Sequence, residues 1–394
     1  MRITGIHCKL VAMPYRNPYR IAAGATRSLS RVFVFIDTDE GFTGVGETGT
    51  TVPERGGETV EATFVNITRY FAPLLIGMDP FQIGPIMERL AASHWGRTGY
   101  PCAKCGIDNA LYDLMGKASN LPVATLLGGI HRERFRVSRS LGVKAPAQMA
   151  AEALRLKDRG YAMLTVKIGF DPREDLDRVA AVREAVGAGF PLEVDANEGY
   201  RAEQAVPILK KMQRYDIEAV EQPVPWWDIA GLRAVRRAVD IPITADESAW
   251  TPHDVVNLAR AEAVDTICIK PIKNGGLFLG RRMAEIADAA GLGVLMGSKH
   301  PLSPGTAAIL HFAAAMPMVH EVLGYGSPLE RFDDDVTDDP IPMHGDGSVT
   351  LPSGAGLGVA ICPEKLQRYA RPDIVLPDPT EVASGASEYP SEQP

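Results

Sequence analysis

The sequence predicts an α/β protein, a (β/α)8 TIM-like barrel preceded by an N-terminal α+β domain. Three observations carry this reading. Strand-like segments end near Leu141, Lys167, Asp195, Glu221, Asp246, Lys270, Met296 and Glu321, at steps of 24 to 28 residues. Each step has room for the strand, turn, helix and turn of a parallel repeat. The chain of 394 residues is too long for one ordinary core and accommodates a barrel of roughly 250 residues beside a second domain. The chemically distinctive residues also collect at strand ends, the rim where such barrels carry their sites.

Taken in order, residues 1–130 read as the α+β domain. Apolar alternation at 3–11 and 32–37 marks two strands, and Asp39-Glu40-Gly41 turns the chain into a third, Gly44-Val45-Gly46-Glu47. Helical periods follow at 59–75, 85–92 and 103–118, ending in Leu126-Leu127-Gly128-Gly129. Residues 131–340 form the barrel, with helices such as 174–186 and 203–215 between strands. Residues 341–378, punctuated by Pro and Gly, are expected to return to the first domain. Residues 379–394, rich in Pro, Ser and Glu, are expected to form a loose tail.

Composition narrows the function classes. Apolar residues make up 45% and charged residues 23%, as in a globular protein, and the net charge of −8 argues against nucleic acid or an anionic membrane as partner. No apolar run reaches the roughly 18 residues that span a bilayer. Met1-Arg2-Ile3 runs directly into a strand pattern, unlike a signal peptide, so the cytoplasm is the expected compartment. Five scattered cysteines make no disulfide framework, and Cys102-Ala-Lys-Cys105, in an apolar helical stretch, reads as structural.

The chemistry lies in three strand ends. Leu192-Glu193-Val194-Asp195, Glu218-Ala219-Val220-Glu221 and Ile243-Thr244-Ala245-Asp246 each deliver a carboxylate to the same rim. One such acid usually caps the next helix. Three on consecutive strands make a hard-cation site, most simply for Mg²⁺, with Mn²⁺ as a substitute. Lys167 and Lys270 end the strands on either side. Lysine at the end of an apolar strand is either paired or functional. In the functional reading, the metal and the other lysine lower each lysine's pKa, which suits it to act as a general base. Glu247 is expected to support the site from behind. Asn197 reads equally as a rim residue or a turn residue. Glu321 either polarises substrate or forms an ion pair. Lys273 reads as a loop residue or as a support behind the site, and His300 as a loop residue within reach of substrate.

Val166-Lys167-Ile168-Gly169, Glu193-Val-Asp195-Ala-Asn197, Val220-Glu221-Gln222-Pro223, Ala245-Asp246-Glu247-Ser248 and Lys270-x-x-Lys-Asn-Gly-Gly276 together resemble the enolase superfamily, in its muconate-lactonizing-enzyme branch. Gly44-x-Gly46-Glu47 and the 110–129 stretch are similar to that family's N-terminal signature. The resemblance covers residues 1 to about 365. It implies that the first domain caps the barrel and that Asp195, Glu221 and Asp246 bind Mg²⁺. It further implies that Lys167 and Lys270 sit on opposite faces of a small carboxylate whose α proton is removed to give an enediolate. A homo-oligomer is also implied.

Two departures from the branch stand out. Thr165 occupies the place of a lysine that usually precedes the base by two residues, and the strand-eight stretch His320-Glu321-Val322 lacks the Asp-x-Asp of dipeptide epimerases. The expected reaction is racemisation or epimerisation of a small carboxylate or amino-acid derivative. Syn-dehydration of a β-hydroxy acid such as a hydroxyproline, or cycloisomerisation, are the alternatives within the superfamily. A non-catalytic metal-binding scaffold is the alternative from another class. The resemblance implies that the loop carrying Tyr19 and Arg20 closes over the mouth, where these side chains read equally as substrate contacts or as ordinary exposed loop residues.

Overall fold

The computed structural model describes residues 1–21, 24–49, 58–93, 99–325 and 327–371, with the side chains of 17–26 left out. Three antiparallel strands open the chain, β1 (Ile3–Ile21), β2 (Gly24–Thr38) and β3 (Thr43–Gly49), in the order β1-β2-β3. The helix Pro101–Ser119 lies against β3. Their approach explains Gly44-x-Gly46. A Cβ on Gly44 would stand 2.1 Å from the Ala110 carbonyl oxygen, and one on Gly46 the same distance from that of Gly106. No side chain fits between strand and helix there. Cys102 and Cys105 are buried free thiols within this helix, in keeping with a structural part. The helical period at 59–75 is one helix in three pieces, with a π-helical middle at Asn66–Phe71 between Val60–Val65 and Ala72–Leu75.

Eight parallel strands then form the barrel: β4 (Arg134–Leu141), β5 (Met163–Lys167), β6 (Leu192–Asp195), β7 (Ala219–Glu221), β8 (Ile243–Ala245), β9 (Thr266–Ile269), β10 (Gly293–Met296) and β11 (Val322–Leu323). Each from β4 to β9 pairs with its successor, and β11 returns to β4. A bridge between Val294 and Val319 closes the ring. Buried Val, Leu and Ile side chains of these strands and of the surrounding helices make one continuous core.

One strand end differs from the sequence reading. Glu321 precedes β11 instead of ending it, and it is exposed. Val322 pairs with Arg136 on β4, and the bridge of Val319 to Val294 sets Glu321 level with Met296, the last residue of β10. Among the described residues Glu321 forms no ion pair.

The chain after the barrel returns to the first domain. A short strand, β12 (Ser348–Thr350), adds antiparallel to β4. The Val123 amide donates to the Gly356 carbonyl at 2.9 Å, and Ala12 and Arg371 make backbone hydrogen bonds with Tyr369 and Leu10. An apolar cluster of Val11, Met13 and Phe33 from the sheet with Leu302, Phe332, Val336 and Leu366 joins cap, rim and C-terminal segment. The expected tail at 379–394 lies outside the described residues. Among those described, no helix is long and apolar enough to cross a membrane.

Candidate active site

Strand register brings the acids together. Lys167 pairs with Asp195 across β5 and β6, and Asp195 with Glu221 across β6 and β7, while Asp246 follows directly on β8. All three carboxylates are buried. Burial and the neighbouring Glu221 charge push the Asp195 carboxyl up to about 7. Burial pushes Asp246 the same way, but Lys270, Lys273 and Lys299 overcome it and hold that carboxyl well below the usual range. Buried carboxylates that repel one another, all with oxygen donors, suit a hard divalent cation. The Cys268 thiol lies within 4.8 Å of Glu221 and Asp246 oxygens, yet burial keeps its proton on, and a neutral thiol is a poor ligand for such an ion.

The two lysines approach from opposite sides. Lys167 donates to Asp195 Oδ2, and to Asn197 Oδ1 at 2.7 Å. Lys270 Nζ lies 2.5 Å from Asp246 Oδ2 and 3.2 Å from Glu221 Oε1. On an eight-strand ring, β5 and the end of β9 are four strands apart, so the lysines stand across the mouth from each other. The expected lowering of the lysine pKa is not what the protein's own charges produce. Burial does push Lys270 down, but Asp246, Glu221 and Glu247 outweigh it and hold the ammonium well above its ordinary range.

Asn197 fills both roles left open by the sequence. Its φ of 41° makes it a left-handed turn residue. Its side chain also faces the site, accepting from Lys167 and donating to Glu247 Oε1 at 3.1 Å. Thr165 is buried on the same strand as Lys167 and donates to Glu193 Oε2 at 3.0 Å. Tyr19 and Arg20 continue β1, paired with Thr26 and Ala25, and their side chains lie outside the described residues.

Comparison with known proteins gives the same architecture a family. Residues 4–128 match the mandelate racemase / muconate lactonizing enzyme N-terminal domain, and residues 148–365 the enolase C-terminal domain-like family. The chain belongs to the enolase superfamily. An N-succinyl-L-Arg/Lys racemase of Bacillus cereus is 33% identical over 369 residues, which cover 93% of this chain and 97% of that protein. Its crystal structure superposes with a TM-score of 0.88, covering 94% of this chain and 98% of the other. Muconate cycloisomerase 1 of Rhodococcus opacus is 32% identical over 378 residues, 94% of this chain and 99% of that one. A dipeptide epimerase of Enterococcus faecalis, solved with Mg and the dipeptide L-Leu-L-Tyr, is 32% identical with a TM-score of 0.85, covering 91% of this chain and all of its own.

As a superfamily member the chain is an enzyme of the muconate-lactonizing branch, and the scaffold alternative falls. Membership and the Mg-bound relative imply Mg²⁺ as the ion.

Of the two readings open for Lys273, a place behind Asp246 is the one it takes. It lies within the short helix Pro271–Asn274, is buried, and donates to Asp246 Oδ1 (2.7 Å), Asp246 O (2.6 Å) and Cys268 O (3.1 Å). This superfamily site also contains residues that sequence reasoning passed over. Gln222 is also buried. Its side-chain oxygen accepts from the Asp246 and Ser248 amides at 3.0 and 3.1 Å, which fixes where the β8 acid points. Glu193 shares the inward face with Asp195, two residues away, so strand alternation alone could have found it. Burial, with Glu221 and Asp195 nearby, pushes its carboxyl up to about 8.

The cap reaches the same rim. A buried ion pair joins Arg31 on β2 to Glu47 on β3 at 3.1 Å. Glu47 accepts the Leu302 and Gly305 amides at 2.8 Å each, and Arg31 donates to the carbonyls of Lys299 and His300. The loop after β10 is thus clamped by the cap. His300, in that loop, meets the Tyr15 hydroxyl of β1 at 3.2 Å through Nδ1.

Proposed function

We propose that this enzyme removes the proton α to the carboxylate of a small amino-acid derivative and returns a proton from the other side, as a Mg²⁺-dependent racemase or epimerase. The observation that carries the reading is the placement of Lys167 and Lys270 across the mouth, with Asp195, Glu221 and Asp246 between them. Those three acids would hold the ion, with Glu247 and Asn197 behind them. Asp246 and Glu221, which hold Lys270, are among the acids that would hold Mg²⁺, and the ion would supply electrostatic stabilisation of the negative charge that builds on the substrate carboxylate as the α proton leaves. Lys167 takes or gives that proton on one face and Lys270 on the other. The names of the relatives support N-acylated amino acids or dipeptides as the substrate class.

A second reading rests on the grip of Asp246, Glu221 and Glu247 on Lys270. If Lys270 keeps its proton throughout and acts by charge, Lys167 alone moves the proton, as in a cycloisomerase or syn-dehydratase. Incubation in D₂O with both enantiomers of N-acyl amino acids and dipeptides decides. Solvent deuterium entering both enantiomers, with net interconversion, is expected. Exchange confined to one enantiomer without interconversion would favour the second reading. EDTA should abolish exchange reversibly, with Mg²⁺ or Mn²⁺ restoring it.

A further inference from the structure

A thiol shares the place of the metal-binding acids. Cys268 lies on β9, two positions before Lys270, so the two side chains take the same face. Both lie against Gly297, which follows β10. A Cβ there would stand 2.2 Å from Lys270 Cε and 2.9 Å from Cys268 Sγ, and its absence leaves room for both. Cys268 is 1% exposed, and among the described residues its thiol makes no hydrogen bond. Its Sγ and one oxygen each of Glu221 and Asp246 lie within 4.8 Å of one another. Among the described residues, no other three acidic, thiol or imidazole side chains converge in this way. Asp195, the remaining acid, is engaged elsewhere, because its oxygens accept from Lys167 and from the Asn197 amide, the latter at 2.8 Å.

Two carboxylates and a thiol are a different donor set from three carboxylates. Mg²⁺ demands oxygen in a near-octahedral shell and draws nothing from sulfur. Zn²⁺ takes sulfur and oxygen ligands together, commonly four in number, and keeps a position open for water. A thiophilic ion also overcomes the burial that keeps the proton on Cys268, since a coordinating thiol is deprotonated outright. The S–H bond breaks, an S–metal bond forms, and the proton leaves to solvent. Lys270 is the competitor. Its ammonium lies 2.5 Å from Asp246 Oδ2 and 3.2 Å from Glu221 Oε1, so a cation bound by these two acids takes its place.

We propose that Cys268, Glu221 and Asp246 form a second metal site, selective for a thiophilic divalent cation such as Zn²⁺, which overlaps the Mg²⁺ site and excludes Mg²⁺ when filled. An ion held there withdraws two of the three acids from Mg²⁺ and both carboxylate partners from Lys270. The site needs only the thiol and the two acids, whichever reaction the enzyme runs.

The probe is Co²⁺, whose bond to a thiolate gives an ultraviolet charge-transfer band that Mg²⁺ cannot produce. The full chain, stripped of metal with EDTA and titrated with Co²⁺, should develop this band to one ion per chain. Cys268→Ser and Cys268→Ala should each lose the band and bind Zn²⁺ at least about tenfold more weakly by calorimetry, with Mg²⁺ affinity unchanged. Zn²⁺ should release one more proton from the wild type than from Cys268→Ala, read from the dependence of the binding heat on the buffer. Excess Mg²⁺ should bleach the wild-type band. Absence of the band in the wild type would overturn the proposal. So would a band that persists in Cys268→Ser, supplied by another of the five cysteines, or one that excess Mg²⁺ leaves untouched. The band reports the bound ion and not turnover, so failure of the racemase reading in D₂O leaves this site standing, and loss of the band leaves that reading standing.

Discussion

The two sides of the mouth carry the same residue and treat it differently. On the β5 side, Lys167 keeps 22% of its side chain exposed and leans on one acid and one amide, Asp195 and Asn197. On the β9 side, Lys270 is 10% exposed and lies against the bare backbone of Gly297, where a Cβ would stand 2.2 Å from its Cε. Two carboxylates hold it, and Lys273 fixes one of them from below. The β9 side is also the side that the cap clamps, through Arg31 and Glu47. One lysine is thus adjustable and the other preset. A pair that must each give and take a proton need not be matched at rest, provided the shared acids are engaged by the ion during turnover.

The largest effect should come from removing what both sides share. Asp195→Ala, Glu221→Ala or Asp246→Ala should each abolish exchange with both enantiomers and weaken Mg²⁺ binding by calorimetry. Mg²⁺ affinity that survived all three changes together would remove the metal assignment. Asp246→Ala should also destabilise the fold by about 3–5 kcal/mol, because two buried ammoniums each lose a carboxylate, whereas Asp195→Ala takes one only from the more exposed Lys167.

The lysines come next. In a racemase, Lys167→Ala should stop exchange from one enantiomer and Lys270→Ala from the other, each by about 10²–10⁴-fold, and either should stop interconversion. If Lys270→Ala merely slows both enantiomers alike, the preset lysine works by charge alone. Thr165 makes the Lys167 result clean, since no second lysine on β5 can take over.

Much of this contrast was legible in the sequence, for a physical reason. Residues at the ends of parallel strands recur at the repeat length, so Lys167, Asp195, Glu221, Asp246 and Lys270 showed in the spacing. Glu321 misled because β11 is only two residues long and an acid beside apolar residues imitates a strand end. The charge state of Lys270 was not legible, because it depends on which carboxylates the side chain touches. Nor was the clamp, in which Glu47 meets an amide 255 positions away.

A smaller effect tests whether the cap matters to one side only. Arg31→Met leaves Glu47 buried without its cation and should cost about 3 kcal/mol of stability. The clamp holds the loop that follows β10, the strand beside that of Lys270. Deuterium exchange at the Lys270-dependent enantiomer should therefore fall several-fold more than at the other. Equal losses would show that the cap supports the mouth as a whole.

The smallest effect concerns the helix that follows the clamped loop, Ser303–Ala315, and it is a pH effect. His311 is buried on this helix, accepts the Ala124 amide at Nδ1 (3.2 Å) and meets the Leu357 carbonyl at Nε2 (3.1 Å). An acceptor at Nδ1 and a donor at Nε2 require the neutral ring. Burial accordingly pushes its pKa from 6.5 down to about 4, against the Leu357 hydrogen bond. A folded pKa below the unfolded one means that the unfolded chain binds the proton more readily. The stability due to neutral His311 is therefore whole above about pH 6.5 and is lost as pH falls through about 4. His311→Gln can keep both hydrogen bonds without titrating. Denaturant unfolding at pH 7 and pH 4 should show the wild type losing on the order of 1–3 kcal/mol more than the variant. Parallel losses would mean that the acid sensitivity resides elsewhere.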